Sequence, residues 1–242
     1  MTNTYTLITG GTSGIGYEAA KTLLSEGKQV IITGQNAKRV ADAAASLQCK
    51  GIVADSADIT SLHQLANQLS EENVKLDGLV LNAGAFSPKP FELISEATYD
   101  RTMAINTKGP LFTLKALLPL LQNPSSVVFV STIAIAKGFQ ASAVYAASKA
   151  AAEAYIRVAN IELAPKGIRI NTIRPGITET AIQAKAGMQP NDMAALFSTM
   201  DAMPLGRVLN PTDHAGVIAF LLSEASIAMR NAVIDVDGGY TL

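Results

Sequence analysis

The feature that most constrains this chain is the change of texture across residues 5–25. Tyr5 to Thr9, YTLIT, is a short apolar run with the aromatic and β-branched residues of a buried strand. Gly10, Gly11, Gly14 and Gly16 follow at once, and Ile15 to Ser25 then carries helical periodicity. A strand that passes through glycines straight into a helix begins a crossover unit, and its helix N-terminus offers free backbone amides to an anion. The spacing is GxxxGxG rather than GxGxxG, with similar physics. Gly10 permits the turn, Gly14 admits a pyrophosphate and Gly16 permits close packing. A merely flexible turn is the alternative.

The rest of the chain repeats the alternation. Gln29 to Thr33 reads as a second strand, ending at Gly34, Gln35 and Asn36 without the acid that binds a ribose diol in NAD sites. Lys38 and Arg39 follow, either within reach of a 2'-phosphate or simply solvated. Lys50 to Ala54 is a third strand, and Asp55 after it either accepts from an adenine amino group or closes a turn. Leu76 to Leu81 is a fourth, ending in the small residues Asn82, Ala83, Gly84 and Ala85, where a sugar can approach closely. Thr98 to Leu121 is helical. Asn106 in its apolar face either holds a local bend open around water or faces solvent. Ser126 to Val130, Ile168 to Ile173 and Ala232 to Val236 complete seven strands, with a helix from Pro211 through Leu222. The pattern predicts a single domain over residues 1–242. It is an α/β doubly wound Rossmann fold whose seven-stranded, mostly parallel sheet has helices on both faces. In such sheets ligands bind at the C-terminal strand ends, where Gly10, Gly34, Asn82, Thr132 and Pro175 converge. From Thr178 to Arg207 the pattern loosens into Met-rich amphipathic pieces, which suits a mobile lid over a pocket.

Tyr145 and Lys149 stand four residues apart at the start of an Ala-rich helix, so both side chains share a face. An ammonium beside a phenol lowers the phenol's pKa, which suits a proton donor to a carbonyl oxygen. A half-buried aromatic with a solvated amine is the bland alternative.

Composition narrows the partners. The net charge of −1 comes without a basic cluster, so no nucleic acid is expected. The single Cys49 excludes a disulfide framework and a cysteine metal cluster, and His63 and His214 lack neighbours at ligand spacing, so no metal is expected. No apolar run is long enough to span a membrane and none resembles a signal peptide, which makes a cytoplasmic protein the expectation. Apolar residues reach 48%, a surplus that a large subunit contact would cover.

Taken in order, the motifs resemble the short-chain dehydrogenase/reductase family, of the shorter type, over nearly the whole chain. Thr9 to Gly16 matches its TGxxxGIG loop, Asn82 to Gly84 its NAG, Asn106 its helix Asn, and Tyr145 with Lys149 its YxxxK. Pro175 and Gly176 with Thr180 match its PGxxxT, and Asp237 to Gly239 its DGG. The resemblance implies hydride transfer between a nicotinamide and a carbonyl carbon, with Tyr145 as general acid or base. Lys149 would bind the nicotinamide ribose and depress the Tyr145 pKa. Asn106 would order a proton-relaying water, and Asp55 would touch adenine. The loop residues Thr12, Ser13 and Ile15, with Gln35, Ser56, Thr178 and Thr180, would complete the nucleotide site. The usual assembly, a homotetramer, would use the faces of Asn106 to Leu121 and Tyr145 to Leu163.

Three positions depart from the family pattern. Thr132 stands 13 residues before Tyr145, where a serine is usual, and Ser131 precedes it. A one-residue slip reverses side-chain direction in a strand, so Thr132 is the expected polarising residue. Gln35 replaces an NADP-binding Arg, and Asn231 a Gly before the last strand. Substrate contacts are expected from Phe86, Phe139, Val144 and Ile182, and from Met188, Phe197, Met200 and Met203 in the lid. That set is apolar. The sequence therefore points to an NADP-dependent carbonyl reductase or alcohol dehydrogenase acting on a small apolar ketone or alcohol. An NAD-dependent dehydrogenase of a specific secondary alcohol and a reductase of 3-oxoacyl thioesters share that chemistry. A catalytically silent dinucleotide-binding regulator is the alternative from another class, opposed by the intact Asn106, Tyr145 and Lys149.

Overall fold

In the computed structural model, which describes residues 3–242, the N-terminal run forms β1 (Thr4–Ile8) and the glycines lead it into α1 (Gly14–Ser25). There follow β2 (Val30–Gly34), α2 (Ala37–Leu47), β3 (Lys50–Val53), α3 (Ile59–Glu71) and β4 (Lys75–Leu81). After β4 come α4 (Glu96–Met103), a π-helical turn (Ala104–Lys108), α5 (Gly109–Leu117), β5 (Leu121–Val130) and α6 (Ala143–Glu162). The chain closes with β6 (Ile168–Pro175), the short α7 (Ala181–Lys185), α8 (Pro190–Ser198), α9 (Thr212–Leu222) and β7 (Val233–Val236).

The strands form one seven-stranded sheet in the order β3-β2-β1-β4-β5-β6-β7, every pair parallel. Strand alternation divides the core. Leu7, Ile31, Leu79, Phe129 and Ile170 face Leu65, Leu114, Ala152 and Ile156 of α3, α5 and α6. Their neighbours Ile8, Ile32, Val80, Val128 and Ile173 face Ala19, Leu23, Ala43 and Ile218 of α1, α2 and α9. Each fully buried Leu or Ile contributes about 1.5–3 kcal/mol, so the two-faced sheet is the main source of stability. The strand order reverses between β1 and β4, which opens a crevice at their C-terminal ends.

Most boundaries shift by a residue or two from the sequence expectation, and the larger differences lie between β4 and α6. The helical run expected over Thr98 to Leu121 starts at Glu96, capped by the Ser95 hydroxyl, and is broken by the π turn. It ends at a 3-10 turn containing Pro119, and Leu121 already belongs to β5. β5 is longer than Ser126 to Val130 because its first half, interrupted by Pro124 and partly exposed, still pairs Leu121 with Leu76. α6 begins at Ala143, two residues before Tyr145. Asn231 has φ 55°, the left-handed conformation that Asn tolerates. Among the described residues no helix is long and apolar enough to cross a membrane.

Candidate active site

The crevice is built on Asn82. Its Nδ2 donates to Thr9 O at 2.9 Å and Gly10 O at 3.1 Å, while the Thr9 hydroxyl oxygen accepts from the Asn82 and Ala83 amides at 3.0 Å each. The glycine turn is thereby tied to the end of β4. Gly10 has φ 65°, and a Cβ there would stand 3.0 Å from Ala83 Cα. A Cβ on Gly16 would stand 2.5 Å from Asn82 Nδ2, so the close packing expected at Gly16 is against this amide. Gly14, with φ 59°, lies under Thr180, whose Cγ2 would be 3.3 Å from an added Cβ. Ser13 precedes α1 without capping it, which leaves its hydroxyl and the first amides of the helix to a ligand. This glycine-lined cradle fits the diphosphate of a dinucleotide.

At the adenosine end, Gln35 is exposed. Asn36 caps α2 through the Arg39 amide, and Lys38 is bound to Asp42 at 2.7 Å. Lys38 is therefore committed within its own helix, whereas the Arg39 guanidinium has no such tie. Thr12 lies over Gly34, its Cγ2 2.9 Å from where a Cβ would stand, so a side chain at 34 would displace it. Asp55 closes a turn, its Oδ1 accepting from the Ala57 amide at 2.9 Å, and the Asp55 amide donates to the Ser61 hydroxyl. The Ser56 carbonyl would be 2.7 Å from a Cβ on Gly109, which brings the start of α5 against this loop.

The π turn shapes the floor. Asn106 is fully buried, so it does not face solvent. Its Oδ1 accepts from the Ala85 amide and its Nδ2 donates to Ala85 O, both at 2.8 Å, and to Ser148 Oγ at 3.1 Å. The carbonyl of Thr107, in the same widened turn, accepts from the Tyr155 hydroxyl at 3.0 Å. Gly84 leaves open space above both Asn106 and Lys149. A Cβ there would stand 3.3 Å from Lys149 Nζ and 3.4 Å from Asn106 Oδ1.

Tyr145 and Lys149 share the first turns of α6, as their spacing required, but their electrostatics differ from the expectation. The Tyr145 phenol is raised, not lowered: burial disfavours its phenolate, and a hydrogen bond with the Thr132 hydroxyl only partly offsets this. The Lys149 ammonium donates to Val130 O at 2.7 Å, with the Phe129 ring 4.9 Å away. Burial brings it down to about 8, opposed by the charge of Glu153. Thr132 and Ser131 are both buried. Thr132 Oγ1 also accepts from the Ala134 amide at 3.2 Å, whereas Ser131 Oγ has no hydrogen-bond partner.

The Phe86 ring meets Tyr145 edge-on at 5.1 Å, and Phe139 stacks on Tyr240 at 5.6 Å. Val144, Ile182, Met188 and Phe197 are half-buried. Met200 and Met203, expected on a pocket wall, are buried within the segment between β6 and α9. Met203 Cε would be 3.3 Å from a Cβ on Gly238. In an irregular segment, apolar residues that pack inward and those that face a ligand read alike. Pro175 ends β6, Gly176 packs on Asp237, and Thr180 caps α7 in a reciprocal box with Gln183. Thr178 is less free than its assignment to the cofactor implied. Its hydroxyl donates to Gly176 O and bonds His214 Nε2 at 2.8 Å.

The likeness to known proteins matches this geometry. The family model adh_short_C2, described as enoyl-(acyl carrier protein) reductase, matches residues 10–241. Cis-4-hydroxycyclohexanecarboxylate dehydrogenase of Sinomonas cyclohexanicum is 34% identical over 97% of this chain and 95% of its own. The RhlG/NADP active-site complex of Pseudomonas aeruginosa superposes with a TM-score of 0.89 at 31% identity, over 100% of this chain and 98% of that one. Levodione reductase gives a TM-score of 0.92 at 27% identity, covering 100% and 98%. The fold and the crevice are those of a nicotinamide-dependent oxidoreductase of carbonyl and alcohol groups. The chain belongs to the short-chain dehydrogenase/reductase family.

His214, which has no metal partner at ligand spacing in the sequence, is fully buried beside the site. Because Thr178 gives its proton to Gly176 O, His214 is the donor in their pair, and its Nδ1 is buried without a partner. Burial holds the imidazole down to about 4, from 6.5, against the nearby Asp213 charge. The folded value is depressed, so protons favour the unfolded chain, and stability present above about 6.5 is lost as pH falls towards about 4. Linkage puts the loss at pH 5 at about 2 kcal/mol. The His214→Gln variant keeps a donor towards Thr178 without that titration. Its fall in unfolding free energy from pH 7 to pH 5, measured by urea titration, should be smaller than wild type's by about this amount. Equal falls would show that His214 is not the acid-sensitive group.

Proposed function

We propose that this protein is an NADP-dependent reductase of a small apolar ketone, or the dehydrogenase of the corresponding secondary alcohol. The observation that carries the proposal is the crevice in which Lys149 and Asn106 lie under Gly84, with the buried Thr132 hydroxyl near enough to the half-buried Tyr145 to lower its phenol's pKa against burial. Two hydroxyls so placed can share one carbonyl oxygen.

In this reading the glycine cradle of Gly10, Gly14 and Gly16 holds the diphosphate, and Lys149 meets the ribose through the gap at Gly84. Thr12 and Gln35 stand at the adenine ribose, with Asp55 and Ser56 beside the base. When bound, the nicotinamide supplies or accepts the hydride. Thr132 donates to the substrate oxygen and polarises the carbonyl, while Tyr145 delivers the proton to that oxygen. The raised phenol pKa keeps Tyr145 protonated for that task until the Lys149 cation acts on it. Asn106 widens its helix and orders a water through which the proton is replaced. The apolar side chains Phe86, Val144 and Ile182 favour a substrate without sugar-like hydroxyls. The exposed Leu111, Val158 and Ile161 on α5 and α6 suit a homotetramer built on those helices.

The NADP preference follows from charge. β2 ends without a carboxylate, so nothing there repels a 2'-phosphate, and among the described residues Arg39 makes no ion pair while Lys38 does. Relatives of this chain include one solved with NADP.

Three outcomes test this reading. Tyr145→Phe removes the proton donor and little volume. Turnover on any accepted ketone should fall at least about 100-fold with cofactor binding retained, and near-normal turnover would reject the mechanism. Thr132→Ala should cut turnover strongly and Ser131→Ala only mildly. The reverse order would put the polarising hydroxyl one residue earlier. Gln35→Arg adds a fork of donors and should widen the preference for NADPH over NADH, measured as dissociation constants at one ionic strength, beyond a wild-type margin of about tenfold. Tighter NADH binding by the wild type would make the protein an NAD-dependent dehydrogenase instead.

A further inference from the structure

Lys149 and Glu153 lie one turn apart on the same face of α6, and both are almost wholly enclosed, at 3% and 8% exposure. Glu153 is not free to turn. Its Oε1 accepts from Arg174 Nε at 2.9 Å and its Oε2 from Arg174 Nη2 at 2.7 Å, a two-pronged bond that fixes the carboxylate plane. Arg174 stands on β6, on the sheet face that α6 covers, and its Nη1 lies 3.9 Å from Asp235 Oδ1. Asp235 is its register partner on β7. Four charges of alternating sign, Lys149, Glu153, Arg174 and Asp235, therefore run from the crevice to the sheet's edge.

The other neighbours recorded around Lys149 among the described residues are uncharged. β5 offers the Val130 carbonyl and the Phe129 ring, and the π turn offers the Asn106 carboxamide. On α6 the titratable neighbours are Tyr145 and Glu153, and β6 and β7 contribute Arg174 and Asp235.

We propose that Glu153, clamped by Arg174, is a positioning residue for Lys149: it supplies the fixed negative charge that keeps the enclosed ammonium protonated and aimed at the end of β5. An ammonium removed from water loses its proton unless a counterion is held nearby. Glu153 is that counterion, and it opposes the burial that already brings Lys149 to about 8. Arg174 sets the strength of the effect. It fixes the carboxylate in place and shares the charge that Lys149 would otherwise feel alone. A clamp serving only to pin α6 to the sheet would have no need of an ionic pair, which gains little over a packed apolar one. The inference rests on the proposed role of Lys149 at the ribose and deepens it.

The test reads Lys149 directly in the ligand-free protein. Lysine is labelled with 13C at Cε, the Lys149 signal is assigned by its loss in Lys149→Met, and its chemical shift is followed from pH 6 to pH 11. Glu153→Gln should lower the midpoint by at least about one unit, tenfold in the proton equilibrium. Arg174→Gln, which removes a cation and frees the carboxylate, should raise it. A purely structural clamp would lower the melting temperature of both variants and leave the midpoint where it was. An unmoved midpoint in Glu153→Gln overturns the proposal. If that variant does not fold, a midpoint unmoved or lowered in Arg174→Gln does so. No turnover is involved, so either result leaves the reductase reading standing, and failure of every carbonyl substrate would leave this titration valid.

Discussion

The carboxamide of Asn82 is the constraint on which the rest of the crevice depends. Its bonds to Thr9 O and Gly10 O satisfy two backbone carbonyls where β1 gives way to the glycine turn, and these would otherwise be lost at the point where the sheet reverses order. The Thr9 hydroxyl answers in the other direction by accepting two amides from the end of β4. Once the two strand ends are laced together, the space left for side chains is fixed. Gly10 has no room because Ala83 is there, and Gly16 has none because Asn82 itself is there. The glycines are thus a consequence of the amide as much as of any ligand, and α1 is aimed at the crevice by the same contact.

A second device converts a helix into a floor. The π turn opens the backbone between α4 and α5 and is bonded to α6 in both directions: the Tyr155 hydroxyl donates to Thr107 O, and the Thr107 hydroxyl donates to Ser148 O. Ser148 Oγ in turn donates to the carbonyl of Tyr145 and accepts from Asn106. The widened turn and the first turns of α6 are therefore one hydrogen-bonded unit. A change in either would move Tyr145 through the Ser148 hydroxyl. The same unit holds Ala85, and through it the end of β4, so both devices meet at Gly84.

Much of this was legible in the sequence, for definite reasons. Strand alternation and glycine placement gave the sheet and its crevice because burial on two faces leaves little freedom in where apolar residues fall. Asn106 could be read as a bend because a buried amide in an apolar helix must bond to something. What escaped was everything decided by direction between distant segments. The i,i+4 spacing placed Tyr145 and Lys149 on one face. It could not tell that the ammonium would turn to the Val130 carbonyl while burial raised the phenol. Nor could it pair Glu153 with Arg174, which lie 21 residues apart and meet only because α6 lies across β6. The burial of Met200 and Met203 is not legible in the sequence, because an irregular segment has no period from which to separate inside from outside. Leu121 reads as helix in the sequence because Pro124 masks the strand that begins there.

The segment between β6 and α9 shows how an irregular stretch can still be positioned at both ends. At its start, Thr180 rests against Gly14 and its cap holds Gln183, which in turn binds Thr178 O at 2.7 Å. At its end, Leu205 donates its amide to Gly238 O, and Pro204 lies 2.7 Å from where a Cβ on Gly239 would stand. Asp237 braces that turn by accepting from the Gly239 amide and from the amide and hydroxyl of Thr241. Tyr240 then crosses to the loop before α6, stacking on Phe139 while Lys137 lies 4.3 Å above its ring and donates to its carbonyl. The last residues of the chain thus join the base of α8 to the loop that delivers Tyr145. A glycine pair is needed there because Leu205, Met203 and Pro204 occupy the space where side chains would be, and because both residues have positive φ, at 67° and 85°. The two glycine motifs at opposite ends of the sequence do the same physical work: each lets a neighbouring segment come within van der Waals contact of the backbone beside the crevice.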